Sequence, residues 1–491
     1  MRPYAHTRRS FLGAATSAAV GLTLRPGLSR SRTDLTSLTL KEASDLLQAG
    51  KVSSVELTQA CLNRIAAANP RLNAFITITG PQALEAARQM DREQAQGKRR
   101  GPLHGVPIAI KDNIDTAGVR TTAASGVFKD RIPSEDAEVV RRLKLAGAVS
   151  LGKLNLHEFA DGGTSDVSYF GAVHNPWALD HIPGGSSGGS AAATAADLCF
   201  GTLGTDTLGS IRMPSSYCGV VGLKPTYGRV SLRGVVPLSW TLDHLGPITR
   251  AVEDAAIMLN VLAGYDPFDP TTVNVAVPDY TLALRAPTST LRLGVPRTPF
   301  FDALDPEVAA AVEAAIGVLR SLVASVQDTQ LPAIPPFGPI IGTESYAYHA
   351  KWLADSPGLY QPFTRDRLLS GANIPAATYA DALRQTYLAR RDIVRAFSKV
   401  DLLITPTMRR TAELLSESKT FDPLGVRNTS PFDVFGLPSI TVPCGFSRSG
   451  LPIGLQISGA TFGESTVIAL AHAYERATAW HTIHPKPAFM E

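Results

Sequence analysis

The sequence predicts an α/β fold. Short runs of apolar, often β-branched residues alternate with helix-patterned segments, and no segment repeats at a fixed period. In a chain of 491 residues, 44% apolar against 18% charged residues is enough for a sizeable buried core. That length allows one large domain or two to three ordinary ones.

Residues 1–32 read as a leader rather than as part of this fold. Thr7-Arg8-Arg9-Ser10-Phe11-Leu12-Gly13, followed by a small-residue apolar run to Leu24, resembles a twin-arginine export signal without a clear cleavage site. It implies transient engagement of the twin-arginine export machinery and a periplasmic or secreted location; without a signal the location would be cytoplasmic. The run is too short and interrupted to span a bilayer, and no other apolar stretch approaches the necessary length, so stable membrane insertion is not expected. The formal charge of +4 turns slightly negative once the six arginines preceding Asp34 are set aside. The rest of the chain therefore has no basic excess for nucleic acid.

Within 33–491 the elements follow in order. Thr39 with Glu42 and Ser53 with Glu56 have capping-box spacing and open two helices. Gly105–Lys111 reads as a buried strand ending in a lysine, which places Lys111 poorly for solvent. Val139–Leu145 reads as helix and Ala148–Gly152 as strand. Asp305-Pro306-Glu307 opens a helix running to about Val326. The proline-rich stretch Pro332–Pro339 is the best internal boundary. Strand patterns at Leu402–Thr405 and Ile440–Val442 precede a final helix at Glu464–Tyr474. Cys61, Cys199, Cys218 and Cys444 are widely scattered and read as buried thiols, with a disulfide left open. His104, His157, His174, His181 and His244 lack metal-ligand spacing and read as structural, so no metal site is expected.

The stretch Gly184-Gly-Ser-Ser-Gly-Gly-Ser190 requires its own account. Its flanks are apolar and small rather than polar, unlike a linker. No lysine follows it as in a phosphate loop, and a dinucleotide fingerprint is absent. A backbone shaped for catalysis remains, and a second block supports it: Gly204-Thr-Asp-Thr-Leu-Gly-Ser210-Ile-Arg212, continuing to Thr226. With Ile110-Lys111-Asp112-Asn113 upstream and Gly450-Leu-Pro-Ile-Gly-Leu-Gln456 near the C-terminus, the chain resembles the amidase signature family over roughly residues 35–485.

The resemblance implies one large domain, 33–491, with a central mixed, twisted β-sheet surrounded by helices and a variable substrate-pocket region at about 330–400. It implies a hydrolase of linear amides, with ester or carbamate side activity, acting on a small-molecule amide without a cofactor. It further implies a Ser-Ser-Lys triad of Lys111 as base, Ser186 as bridge and Ser210 as the nucleophile that forms an acyl-enzyme. A lysine can act as base at neutral pH only if burial lowers its pKa by about three units. The Gly185-Ser186 peptide is expected to be cis, with Gly188 and Gly189 letting the chain pass close to the second block. Backbone N–H groups of Thr207, Leu208, Gly209 and Ser210 would form the oxyanion hole. Leu208 departs from the family pattern, where glycine is usual, which leaves its effect on the hole or the pocket open. Gly185, Asp206 and Arg212 are expected to support the loop, the latter two as a charge pair. Tyr346, Tyr348, Trp352, Tyr360 and Phe363 are either core or a wall for aryl or apolar groups. Two rival readings stand beside the amidase: a glutaminase subunit of a tRNA-dependent amidotransferase, and an inactive binding protein on the same fold. Oligomeric state is left open, a homodimer included.

Overall fold

The computed structural model describes residues 34–418 and 425–486, so the leader read in residues 1–32 lies outside the described part. Leu35–Glu491 forms a single compact α/β unit built on an eleven-stranded mixed sheet with helices around it. In chain order the strands are β1 Phe75–Ile78, β2 Pro107–Lys111, β3 Val149–Leu154, β4 Gly201–Asp206, β5 Val221–Lys224 and β6 His244–Thr249, then β7 Arg292–Pro296, β8 Ser325–Thr329, β9 Leu402–Pro406, β10 Ser439–Phe446 and β11 Pro452–Gly459. Across the sheet they lie in the order β1-β3-β2-β4-β6-β5-β10-β11-β9-β7-β8.

The pairing of β2 with β4 positions the site. The two strands run parallel, with Ala109 opposite Thr202 and Ile110 opposite Leu203, so both end at the same edge of the sheet. Lys111 closes β2 and Asp206 closes β4. Every residue of β2 is buried, as expected of a parallel strand covered on both faces. One face is covered by the helix Gly188–Ala195, which is buried along its whole length and begins inside the glycine-serine stretch.

Both predicted capping boxes form, opening the helices Leu40–Gln48 and Ser54–Leu72. The helix capped by Asp305 spans Pro306–Arg320 and stops short of Val326. There Ser325–Thr329 becomes strand β8 instead, pairing in parallel with β7 and drawing Val326 opposite Leu293. The proline-rich stretch does not divide the chain: it links β8 to the helix Gly338–Asp355 within the same unit. All four cysteines are buried free thiols. Among the described residues, no helix is long and apolar enough to cross a membrane.

Candidate active site

Lys111 is fully buried, and its Nζ lies 2.8 Å from Ser186 Oγ, 2.9 Å from Ser187 Oγ and 2.7 Å from Thr205 Oγ1. These partners are three hydroxyls and no carboxylate. Burial therefore dominates and lowers the lysine from 10.5 to about 7, against the opposing pull of Asp206 and Asp243. Ser187 Oγ donates to Thr205 C=O at 3.0 Å, and it accepts from the Thr205 N–H at 3.3 Å. The Gly185-Ser186 peptide is cis. A side chain at Gly185 would meet Thr164 N at 2.8 Å, so the bend is packed tightly against that backbone.

Ser210 sits in the turn after β4, partly accessible, and lines a cavity together with Gly185, Thr207, Leu208 and Gly209. The Ser187 N–H donates to Ser210 C=O at 3.2 Å, tying the two serine blocks together through the backbone. The hydrogen bonds of the described residues do not include one between the Ser186 and Ser210 hydroxyls.

The turn corrects one expectation about its donors. The Gly209 N–H points at Asp206 Oδ1 and is not available to an oxyanion. The carbonyl of the same peptide, Leu208 C=O, accepts the Thr429 hydroxyl at 2.5 Å. With that peptide held at both ends, the N–H groups of Thr207, Leu208 and Ser210 remain without hydrogen-bond acceptors among the described residues. Leu208 is not among the residues with positive φ; the φ of +133° falls on Gly209, so the side chain at 208 imposes no backbone conflict.

Asp206 and Arg212 form the expected pair, with Nε to Oδ2 at 3.0 Å, both fully buried. Burial raises the Asp206 carboxyl, but the Arg212 guanidinium outweighs it and holds the group well below the usual range. Arg212 also reaches Asp433, Thr429 C=O at 2.9 Å and Gln456 Oε1 at 2.8 Å. Asp243 accepts from Thr207 Oγ1 at 2.6 Å and from the Leu238 N–H at 2.9 Å, joining the turn to the cavity wall. Sequence reasoning does not single out Ser187, Thr205, Asp243, Thr429 or Asp433. Asp243 carries no local signal, whereas Ser187 and Thr205 lie inside the two glycine-rich blocks.

Gly188 and Gly189 serve a different contact from the one expected. A side chain at Gly189 would lie 2.3 Å from Asn155 C=O and one at Gly188 2.4 Å from Ser165 Oγ, so these glycines admit those neighbours rather than the second block. The histidines take structural contacts: His104 Nε2 lies 3.0 Å from Met90 C=O, and His244 Nδ1 lies 3.2 Å from Asp206 C=O. Most of the aromatic cluster is core: Tyr348 and Trp352 pack on each other, Trp352 on Phe128, and Tyr360 on Phe159. The apolar wall of the cavity comes instead from Leu208, Met213, Leu238, Phe337, Ile341 and Ile374. Its charged lining residues, Asp161 and Arg367, pair with each other at 2.9 Å.

The amidase family profile matches residues 56–468. A glutamyl-tRNA(Gln) amidotransferase subunit from Moorella thermoacetica is 44% identical over 480 residues, covering 91% of this chain and 98% of its own length. The native peptide amidase from Stenotrophomonas maltophilia superposes with a TM-score of 0.80 at 35% identity, over 90% of this chain and 96% of its own. The corresponding glutamyl-tRNA(Gln) amidotransferase subunit from Thermotoga maritima does so with a TM-score of 0.74 at 35% identity, over 92% and 98%.

Proposed function

Because this chain belongs to the amidase signature family, we propose that it hydrolyses a small carboxylic amide through Lys111, Ser186 and Ser210. Neutral Lys111 takes the Ser186 proton while Ser186 takes that of Ser210, and Ser210 Oγ attacks the carbonyl carbon. The N–H groups of Thr207, Leu208 and Ser210 receive the oxyanion. The proton returns through Ser186 to the departing nitrogen, and water then releases the acid from Ser210 with the relay reversed. The observation that carries this reading is the Lys111 amine, sealed from water among hydroxyls, 2.8 Å from Ser186 Oγ. The ordinary backbone of Leu208 argues against an inactive binding protein.

The apolar wall favours an apolar acyl group. A charged one would have to compete with the Asp161–Arg367 pair. A second reading, a glutaminase subunit, is supported by the 44% identity to a glutamyl-tRNA(Gln) amidotransferase subunit. Turnover of glutamine in preference to an apolar primary amide, or co-purification with partner subunits, would select it. We further propose export through the twin-arginine pathway, which rests on the Thr7–Leu24 pattern alone. Detection of the protein in the periplasmic fraction, lost on Arg8→Lys with Arg9→Lys, tests it. For the chemistry, Ser210→Ala should abolish amide turnover and leave the urea midpoint unchanged; undiminished turnover would overturn the mechanism.

A further inference from the structure

The helix Gly188–Ala195 opens on a serine that does not cap it. Ser187 holds the N-cap position, where a hydroxyl commonly accepts from an N–H of the first turn, yet it makes no capping hydrogen bond. Its oxygen instead receives from Lys111 Nζ at 2.9 Å, and its hydrogen goes to Thr205 C=O. The first N–H groups of the helix are met from other segments. Asn155 C=O accepts the Gly189 N–H at 3.0 Å, and Ser165 Oγ accepts the Gly188 N–H at 3.2 Å. The same Ser165 hydroxyl donates to Ser186 C=O at 3.3 Å, where the main-chain N–H of His157 also donates at 3.1 Å.

Ser165 is itself firmly held. It is fully buried, its N–H donates to His157 Nδ1 at 3.3 Å, and its C=O accepts the Val173 N–H at 2.9 Å. Its φ of +60° lies in the left-handed region, which glycine enters freely and a residue with a side chain enters at a cost. A serine at such a position argues that its hydroxyl is needed there. The neighbouring glycines leave room for it: an added side chain would lie 2.9 Å from Ser165 Oγ at Gly185 and 2.4 Å from it at Gly188.

Resting on the amidase reading above, we propose that Ser165 is a positioning residue of the proton relay. By holding Ser186 C=O and the Gly188 N–H with one hydroxyl, it fixes both ends of the short segment that presents the Ser186 and Ser187 hydroxyls to Lys111. Ser165 acts through that backbone and touches no reacting atom. Without its hydroxyl the buried Gly188 N–H loses its acceptor, Ser186 C=O keeps only the His157 donor, and the segment relaxes away from the amine.

The test compares the primary amide and the p-nitrophenyl ester of one apolar acid. Both form the same acyl-enzyme, and kcat/KM reports acylation for each. The amide nitrogen must receive a proton through Ser186 to depart, whereas nitrophenolate departs without one. Misplacing Ser186 should therefore lower the amide-to-ester ratio of kcat/KM about tenfold in both Ser165→Ala and Ser165→Gly. A purely structural role would lower both substrates equally and leave the ratio unchanged. The two variants also separate position from stability, because glycine relieves the left-handed backbone that alanine retains. The urea midpoint of Ser165→Gly should lie above that of Ser165→Ala while the ratio stays low in both. A ratio unchanged in both variants, or one that recovers in Ser165→Gly along with the midpoint, overturns the assignment. Covalent labelling of Ser210 by a serine-directed probe distinguishes the two failures. A parent enzyme that labels and cleaves the amide, with variants of unchanged ratio, removes only this inference, whereas one that neither labels nor cleaves either compound removes the amidase reading as well.

Discussion

The pH dependence of acylation follows from where Lys111 sits. An ordinary lysine near 10.4 is neutral at pH 7 in roughly one molecule in 2,500. With burial lowering the folded value from 10.5 to about 7, close to half the enzyme carries the neutral base at that pH. The gain in competent enzyme is about a thousandfold. Its counterpart is a net cost of about 5 kcal/mol over the span from 10.5 to about 7, at 1.36 kcal/mol per tenfold, by which desolvation exceeds the opposing pull of Asp206 and Asp243. Single-turnover kcat/KM should therefore rise tenfold per pH unit up to about 7 and level off above it. The sign for stability is set by the same group. Between about 7 and 10.5 the unfolded lysine holds a proton that the folded one has lost, so stability rises with pH across that window. That increment should vanish in Lys111→Met, as read by urea unfolding at pH 7 and pH 9. Asp243 titrates nearby, since burial raises it to about 7. Asp243→Asn removes a negative charge that raises the lysine, so the acid limb should move down by less than one pH unit. A limb centred above pH 9, or a flat profile from pH 5 to 9, would refute the neutral-amine mechanism.

Two other predictions test the turn and its support. Arg212→Met strands Asp206 and Asp433 without their cation, which should cost about 3–5 kcal/mol in urea unfolding. Gly209→Ala places a methyl 2.3 Å from Thr429 Oγ1 at a φ of +133°, so kcat should fall at least tenfold. An unchanged kcat would show that the Leu208–Gly209 peptide does not need this geometry.

Much of the candidate site is legible in the sequence, part of it from local pattern and part from the family resemblance. A lysine that ends an all-apolar strand is poorly placed for solvent, whereas it is the resemblance that brings the two glycine-serine blocks to that lysine. What stays hidden comes from long-range contacts. Thr429 and Asp433 reach Arg212 from more than 200 residues away and no local pattern announces them, whereas the equally distant Gln456 ends the C-terminal block that carries the resemblance. The donation from Gly209 to Asp206 is closer to hand, because an aspartate three residues before a turn glycine can accept from its N–H. The aromatic residues between Tyr346 and Phe363 are ambiguous by composition, since core packing and pocket lining draw on the same side chains. The pattern leading up to Val326 is strongly helical, and only pairing with β7 makes its segment a strand.

The hydroxyl of Ser187 carries one hydrogen, which is already directed at a main-chain oxygen. It can only receive from the amine beside it, whichever charge that amine bears. An uncharged amine offers two hydrogens and one lone pair. With Ser187 excluded as a source for that lone pair, the Ser186 and Thr205 hydroxyls are the two neighbours able to fill it. A residue that takes no proton itself thus narrows the possible donors to that lone pair from three hydroxyls to two, and replacing Ser187 with alanine would remove one acceptor of the amine's hydrogens without touching Ser186 or Ser210.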